Sequence, residues 1–369
     1  MNRRRFVGLL VAALIAIASA FYLSSRRNTS SESQGTMLLP KLAQELDTVT
    51  ELSVHKGSTT PSVTVHRAGD QWTVAQRGDY PADVTKVRNL LIALGDAKII
   101  EEKTRDPANF SIIGVEDATQ PGATGAELTV SARDGKHALI IGKPVGEGSF
   151  ARLVGENRSY MVQPALSVDA EPRLWIDSKL IDIPAASIQS LEVKLAGAAG
   201  YTLKRLKPNE DGFALDGVPS GRKALEAKSL APSSTMMSDL AAEDVASASD
   251  VDFSKPSEAI LTLPDGKLVT LTGAAVGDKR WIRVSASNDA ALAAKTQNRA
   301  FEIASYRYDS IFRPVDQLLV PKETKTPANP AASSKPAAGS KTAKPATPPK
   351  PATSSNPATP PKPTPPSTP

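Results

Sequence analysis

The sequence predicts an α+β protein built from two tandem, similar modules, each an antiparallel sheet with one covering helix. Two observations lead to this prediction. The segment SARDGKHALIIG at 131–142 has a near copy, TLPDGKLVTLTG at 262–273, and both runs end on glycine, at Gly142 and Gly273. The strands and helix around the first segment recur in the same order around the second. A helix that covers one face of an antiparallel sheet is a stable two-layer arrangement.

The first module, 40–170, opens with three predicted strands. VTELSVHK at 49–56 and PSVTVHRAGDQWTVAQ at 61–76 alternate apolar and polar residues around a Gly-Asp turn. Trp72 and Val74 are the expected inward positions of the third strand.

A helix is predicted over 80–99. Asp83 lies where an N-cap residue belongs, and Gly95 suits the position after the helix, where a left-handed backbone favours glycine. The apolar residues between them repeat at helical spacing: Val84, Val87, Leu90, Leu91 and Leu94. The charged segment EEKTRD at 101–106 is interpreted as a solvated exit from this helix.

A hairpin is predicted over 127–142, followed by two strands within 150–164. Asp134 and Gly135 can fill the two central positions of a type I′ turn, which need positive φ.

The second module, 187–320, repeats this order. Three strands are predicted within 187–215, with Phe213 at the position of Trp72. A helix is predicted over 233–248, and its apolar face is formed by Met237, Leu240, Ala241 and Val245. The remaining predictions are a hairpin at 259–273 and strands at 280–286 and 299–304.

Residues 171–186, which include EPRLWIDSKLIDIP, are predicted to link the modules. Trp175 and the Leu and Ile residues of this segment are expected to dock the two modules together. The spacing between equivalent residues falls from 141 (Trp72 and Phe213) to 131 (Asp134 and Asp265), because the loop before the second hairpin is shorter.

Residues 1–24 predict a membrane anchor or a signal peptide. An uncharged apolar run at 6–23 follows three arginines and precedes two more, and its length is at the short end of what spans a bilayer. The small residues ASA at 18–20 resemble a cleavage site, but the run continues past them through an aromatic pair. An uncleaved single-pass anchor is favoured, with a linker at 25–39. Either alternative places the body outside the cytoplasm.

The chain ends in a Pro-rich segment, 321–369, which contains 15 of the 30 prolines. Such a composition cannot bury enough apolar area to offset the entropy of ordering, so a disordered tail is predicted. The simpler interpretation is that this tail is a spacer. The alternative is that its lysines contact acidic envelope polymers or lipid head groups.

Charge is distributed unevenly along the sequence. Residues 1–30 carry five arginines and no acid, and 321–369 carry seven lysines and one glutamate. Because the net charge of the whole chain is +5, the body between them is acidic, at about −6. Nucleic-acid binders place basic residues on the folded surface, so no nucleic-acid partner is expected.

Motifs for catalysis or metal binding are weak. The chain has no cysteine, and its three histidines, His55, His66 and His137, form no HExxH pattern. The glycine-rich segment IGKPVGEGSF at 141–150 lacks the order of a phosphate-binding loop and is interpreted as a turn between strands. We therefore predict no catalytic, cofactor-binding or metal residues and no cofactor.

Two acid pairs could in principle coordinate a cation or perform acid–base chemistry: Asp177 with Asp182, and Asp250 with Asp252. Solvated or capping carboxylates are the commoner explanation of such pairs.

A family resemblance is carried by an ordered set of short motifs: WTV (72–74), YPAD (80–83), VRNLLIAL (87–94), FSIIGV (110–115) before Pro121, LIIG (139–142) and FARLVG with SYMV (150–162). Over roughly 40–320 the chain resembles domain of unknown function 4340. The resemblance implies a single-anchor bacterial envelope protein, and some members resemble auxiliary parts of gliding-motility and related ABC transport systems. It supplies no catalytic residues. The second copy fits the motifs less well than the first.

The function expected from these observations is a non-enzymatic scaffold or auxiliary subunit of an envelope assembly, associated with an ABC-type transport system. It would be anchored in the inner membrane through 6–23, with its body on the periplasmic side and a protein partner. The alternative is a polysaccharide- or lipid-binding module that uses the cleft between the copies. An exposed aromatic pair there would favour the alternative, and burial of Trp72, Trp175 and Trp281 would oppose it.

Overall fold

Two antiparallel sheets form the body of the protein in a computed structural model, which describes residues 35–208, 210–230 and 237–321. The fold is therefore α+β with antiparallel sheets, as predicted at that level. The predicted anchor at 6–23 and nearly all of the predicted tail lie outside the described residues. Among the described residues, no helix is long and apolar enough to cross a membrane.

The first sheet has nine strands. In chain order they are β1 (Glu51–His55), β2 (Val63–Ala68), β3 (Gln71–Val74), β4 (Tyr80–Pro81), β5 (Lys98–Glu102), β6 (Ala126–Ala132), β7 (Gly135–Val145), β8 (Gly148–Leu153) and β9 (Ser159–Gln163). Their order across the sheet is β4-β3-β2-β1-β6-β7-β8-β9-β5. The three predicted opening strands, the hairpin and the two strands after it are all present.

The second sheet has eight strands. They are β11 (Ser190–Lys194), β12 (Tyr201–Arg205), β13 (Phe213–Asp216), β15 (Asp244–Ser247), β16 (Ser257–Thr262), β17 (Leu268–Val276), β18 (Lys279–Ala286) and β19 (Arg299–Ile303). A short ribbon pairs β10 (Lys179–Ile181) with β14 (Leu240–Ala241). The order across the large sheet is β13-β12-β11-β16-β17-β18-β19-β15.

The two large sheets have the same strand order. From β3 to β5 in the first sheet and from β13 to β15 in the second, each position is occupied by the strand at the corresponding place in the chain. The registers agree as well: Trp72 pairs with Arg67, and Phe213 pairs with Arg205. The equivalence of Trp72 and Phe213 inferred from the sequence therefore holds in the strand pairing.

The described α-helices are α1 (Pro40–Gln44), α2 (Val84–Asp96), α3 (Phe110–Ile113), α4 (Ala227–Leu230), α5 (Ala290–Thr296) and α6 (Ser305–Ile311). Helix α2 confirms the predicted first helix. The side chain of Asp83 accepts a hydrogen bond from the backbone N–H of Lys86 at 3.1 Å and caps it. Helices α5 and α6 were not predicted.

The helix predicted over 233–248 is wrong for its described part. Residues 240–241 and 244–247 are the strands β14 and β15. Leu240 and Ala242 are buried with an exposed residue between them, which is the alternation of a strand, and Val245 pairs with Phe301. A short apolar run fits a helical pattern and an extended pattern equally well. Pairing with distant strands therefore determined that this segment is extended.

Two details around α2 also differ from the prediction. Gly95 lies inside the helix with ordinary backbone angles, and not after it. A Cβ on Gly95 would lie 2.6 Å from Leu46 Cδ1, so close packing explains the glycine. Glu101 and Glu102 are not a helix exit, because they end the edge strand β5.

The two DGK hairpins use different turns, and the first is not the type I′ turn predicted for Asp134 and Gly135. Gly135 has φ +133° but Asp134 does not have positive φ, and the first turn is centred on residues 133–134. In the second hairpin Gly266 N–H donates to Leu263 O at 3.0 Å, and Gly266 has φ +77°. This is a three-residue loop that closes with a left-handed glycine.

The repeated glycines Gly142 and Gly273 lie within β7 and β17 and do not end them. Added Cβ atoms there would meet Ile113 O at 2.4 Å and the Phe312 ring at 2.4 Å respectively. Each glycine thus permits a close approach of another segment onto its sheet. Close packing therefore explains why glycine recurs at this position in both copies.

Residues 171–186 lie between the two sheets, and Trp175, Ile176, Leu180 and Ile181 are buried there. Ile176 bridges to Ala82 of the first half, while β10 pairs with β14 of the second. Buried residues of both sheets and of this segment form one continuous hydrophobic cluster. The docking role expected for Trp175 and its apolar neighbours agrees with this packing.

Candidate functional site

A cavity of about 930 Å³ lies where the two halves meet. We call this region the junction: the helical turn Ala75–Arg77 with Gly78 from the first half, and strands β15 and β19 from the second. The cavity is lined by polar and charged side chains, among them Arg77, Asp244, Asp250, Lys279, Gln297 and Arg299.

Arg77 and Asp244 form a bidentate ion pair across the junction. Arg77 Nε lies 2.5 Å from Asp244 Oδ1, and Arg77 Nη2 lies 3.0 Å from Asp244 Oδ2. The two side chains are 22% and 14% exposed, so the pair is screened only in part by water. Asp244 Oδ1 also accepts from the backbone N–H of Val245 at 2.8 Å. The Asp244 carboxylate therefore contacts both its own edge strand, β15, and Arg77 of the first half.

Arg299 makes a second connection across the junction. Its Nη2 donates to Gly78 O at 3.1 Å, and its Nη1 donates to Lys295 O at 2.9 Å near the end of α5. Nearby, Lys279 Nζ lies 2.6 Å from Glu302 Oε2. The positive side chains around the cavity are thus engaged within the chain.

Tyr80 packs against Phe301 and Arg299 of β19, beside the junction. It is fully buried, and its ring lies edge-on to Phe301 at 5.7 Å between centroids. Lys295 and Arg299 lie within 6 Å of the same ring, at 5.7 and 5.3 Å. Burial, with the nearby Asp177 carboxylate, raises the pKa of Tyr80 far above its ordinary value, so the phenol is neutral at physiological pH.

The acids Asp177 and Asp182 line one smaller cavity of about 500 Å³, next to β10. Asp177 Oδ2 lies 2.7 Å from Lys295 Nζ, and Asp182 Oδ1 accepts from the backbone N–H of Asp239 at 3.2 Å. Both carboxylates have partners that stabilise local structure.

Asp250 and Asp252 lie in the loop before β16. Asp250 accepts from the Ser249 hydroxyl at 3.1 Å, and Asp252 accepts from the backbone N–H of Ser254 at 2.8 Å. Hydrogen bonds from Ser254 hold the pKa of Asp252 below its usual value. These are the contacts of loop-capping carboxylates.

The histidines are dispersed. His66 Nε2 lies 3.2 Å from Thr73 Oγ1, His137 lies 2.9 Å from Asp134, and His55 is on β1. Within the described ranges, no group of three or more His, Cys, Asp or Glu side chains could hold a metal ion. The glycine-rich segment 141–150 runs from β7 through a turn at Gly146 into β8, which is the strand–turn–strand arrangement expected from its sequence.

The tryptophans do not form an exposed aromatic pair. Trp175 and Trp281 are buried, and Trp72 is partly buried against the core. Trp281 borders the junction cavity with little exposed surface. The feature that would favour a polysaccharide-binding cleft is therefore not provided by these three side chains.

Sequence reasoning missed the residues that build the junction. Arg77 and Asp244 are 167 positions apart, and neither belongs to a recognisable motif. The charge of each residue was visible in the sequence, but their pairing depends on how the two sheets meet.

A family model for a domain of unknown function, DUF4340, matches residues 72–262. The chain belongs to this family. The DUF4340 match begins in β3 and ends with β16, so it includes Arg77, Asp244 and the segment between the sheets. Comparisons with curated proteins and with solved structures gave no match.

Proposed function

We propose that this DUF4340 protein is a membrane-anchored, extracytoplasmic scaffold or auxiliary subunit of an envelope assembly, without enzymatic activity. It is built from two tandem copies of one α+β unit. The partner is a protein of the envelope, and association with an ABC-type transport system is the arrangement that the family resemblance favours.

The proposal rests on one observation: the charged side chains at the junction have partners within the chain. Arg77 is paired with Asp244, Lys279 with Glu302, and Arg299 donates to main-chain oxygens of both halves. Charged groups in a polar cavity are the usual source of catalytic chemistry. Here Arg77 with Asp244, and Arg299 with Gly78, connect one half to the other, while Lys279 and Glu302 pair on neighbouring strands of the second sheet, which supports a structural role.

The membrane part of the proposal rests on the sequence. The uncharged run at 6–23 has arginines on both sides, a pattern typical of a short membrane-spanning helix. Protease added to spheroplasts should digest the body while leaving a cytoplasmic control protein intact. Detection of peptides from 1–20 in the mature protein by mass spectrometry would distinguish an uncleaved anchor from a signal peptide.

Co-purification tests the scaffold function. The tagged full-length chain, expressed at its native level, is solubilised in several mild detergents, and bound proteins are quantified. We expect a stoichiometric envelope protein with the wild type. The double variant Arg77→Ala/Asp244→Ala, which loosens the junction, should retain several-fold less of it.

The matched control is Lys204→Ala/Asp216→Ala, which removes an exposed ion pair from the second sheet alone. It should retain the partner at the wild-type level. The proposal is abandoned if no stoichiometric partner is found in any detergent, or if the control variant loses the partner as completely as the junction variant does.

A further inference from the structure

Three of the four outer edges of the two large sheets are met by another part of the chain. Beside β4, Ala82 bridges to Ile176 of the segment between the sheets. Beside β5, Lys98 bridges to Met37 near the start of the described chain. The edge strand β15 is held by Arg77 of the first half. The fourth edge, that of β13, has no neighbouring strand or bridge among the described residues.

The main-chain groups of Phe213 and Leu215 form this fourth edge. Gly212 O accepts from Leu206 N–H at 3.0 Å, so the main-chain groups of Gly212, and of Ala214 two residues later, are directed towards β12. Main-chain groups alternate in direction along an antiparallel strand, and those of Phe213 and Leu215 therefore point away from the sheet. They make no hydrogen bond within the described part of the chain.

The edge of β13 is accessible. Ala214 and Asp216 are exposed, and Leu215 is only half-buried although it packs against the core. Helix α4 lies next to the strand, where Ala227 Cβ is 3.4 Å from the position that a Cβ on Gly212 would take. No hydrogen bond joins the described residues of α4 to β13, so the helix does not use the donors and acceptors of the edge.

The first sheet shows how a strand fits at this position. Trp72 and Val74 of β3 hold the places of the two outward residues of β13. Strand β4 covers that edge: Ala82 N–H donates to Trp72 O at 2.7 Å, and Val74 pairs with Tyr80. Val74 and Tyr80 are both fully buried, an aliphatic residue opposite an aromatic one. The second sheet has the same outward groups but no counterpart of β4 among its described strands.

Strand β13 of a second copy of the chain can supply the missing strand. When two copies of β13 run antiparallel about a twofold axis at Ala214, Phe213 of each chain lies opposite Leu215 of the other. The outward N–H and C=O groups of each such pair then bond in both directions. Each pair joins an aromatic and an aliphatic residue, as Tyr80 and Val74 do in the first sheet.

The side chains of β13 do not oppose this pairing. The strand, FALD, contains no proline. The twofold register places Asp216 opposite Gly212 of the other chain and not opposite its own copy, so like charges do not face each other. Asp216 Oδ2 also lies 2.6 Å from Lys204 Nζ of its own sheet. The small Ala214 side chains meet at the axis, in a non-hydrogen-bonded pair, where antiparallel strands approach most closely.

We propose that the outer edge of β13 is a homodimer interface, at which two copies of the chain join their second sheets into one continuous antiparallel sheet. The occupant of the edge is a second copy of this chain. The strand is short, so the dimer is expected to be weak and reversible. The inference does not rest on the scaffold function, because it requires no other protein.

Disulfide trapping tests the interface cleanly, because the chain contains no cysteine. Ala214→Cys is introduced into the full-length chain in mild detergent, a mild oxidant is added, and the disulfide-linked dimer is followed on non-reducing gels. Cβ atoms of opposite residues in such a pair lie about 4.5–5.5 Å apart, close to the spacing that a disulfide accepts. We expect rapid formation of a dimer that reductant reverses. The matched control is Ser285→Cys, exposed on β18 of the same sheet, which should cross-link about tenfold more slowly or less.

Leu215→Pro tests the main-chain pairing. Proline at this position removes the outward N–H and leaves the hydrogen bonds to β12 in place. In the Ala214→Cys background it should slow cross-linking at least about tenfold, because each chain loses one donor to the other. Leu215→Ala keeps the N–H and should slow cross-linking less. Sedimentation of the wild-type chain should show a monomer–dimer equilibrium that Leu215→Pro shifts to monomer.

Cross-linking of Ala214→Cys no faster than that of Ser285→Cys would overturn the proposal, as would a wild-type chain that sediments as a monomer at all concentrations. An unchanged dimer in Leu215→Pro would show that another surface joins the chains. A monomeric wild type together with loss of the envelope partner in Leu215→Pro would assign the edge to that partner and refute the dimer. If Leu215→Pro does not fold, the comparison of the two cysteine variants still decides the matter.

Discussion

The ion pair between Arg77 and Asp244 offers a direct measure of how strongly the two halves are held together. An exposed ion pair contributes about 0.2–1 kcal/mol, whereas breaking a fully buried pair costs about 3–5 kcal/mol. These side chains are 22% and 14% exposed and share two hydrogen bonds. We therefore expect a coupling free energy of about 2 kcal/mol, between those limits.

The single variants should not be equivalent. Asp244→Ala also removes the acceptor for the Val245 N–H, which costs about 1 kcal/mol more than loss of the pair alone. The free energy of unfolding should fall by about 2 kcal/mol in Arg77→Ala and by about 3 kcal/mol in Asp244→Ala. The double variant should lose about 3 kcal/mol, because the pair is lost only once.

Urea unfolding of the full-length chain in mild detergent, followed by circular dichroism and tryptophan fluorescence, measures this cycle. The two probes should report one transition, because the sheets share a continuous core. The control cycle is Lys204 with Asp216, whose side chains are 62% and 60% exposed. Its coupling should be below about 0.5 kcal/mol. A junction coupling no larger than that of the control would refute the reasoning.

Three further outcomes are expected in the same unfolding assay. Gly273→Ala should lower the free energy of unfolding by about 1–3 kcal/mol, because its Cβ would meet the Phe312 ring at 2.4 Å; an unchanged midpoint would contradict this. Trp175→Ala should cost about 3–5 kcal/mol, because the side chain is buried between the sheets, and a loss below about 1 kcal/mol would show that it packs loosely. The pKa of Tyr201 is about 12 in the folded protein, against about 10 in an unfolded chain. The folded state therefore keeps the phenolic proton longer, and stability should fall as pH rises from about 10 to 12. Tyr201→Phe should reduce that slope, and an equal slope in both proteins would exclude Tyr201 as its cause.

The DUF4340 match runs from β3 to β16, across both sheets and the segment between them. The junction is therefore part of what the family model describes.

Local chemistry in the sequence was enough to predict α2 and most strands. The alternation in 49–56 and 61–76 has a period that only an extended chain converts into one buried face. Asp83 followed by apolar residues at helical spacing has a stable local solution, a capped helix, that needs little from the rest of the chain. The recurrence of these elements also indicated two similar sheets before their strand order was known.

Other features were decided by contacts between residues far apart in the chain. Residues 240–247 carry apolar side chains that suit a helix or a strand, and pairing with β10 and β19 made them strands. Glycine commonly follows the end of a helix, but Gly95 lies inside α2, where the neighbouring Leu46 side chain leaves no room for a Cβ.

The sequence by itself determined which segments form the first helix and the repeated strands, because hydrogen bonds and apolar periodicity within a few residues specify them. Only the tertiary structure joined Arg77 to Asp244, since this interaction depends on the packing of whole sheets. The partner of a charged side chain is determined by the tertiary packing and not by its neighbours in the sequence. The junction therefore exists only where the two halves pack together.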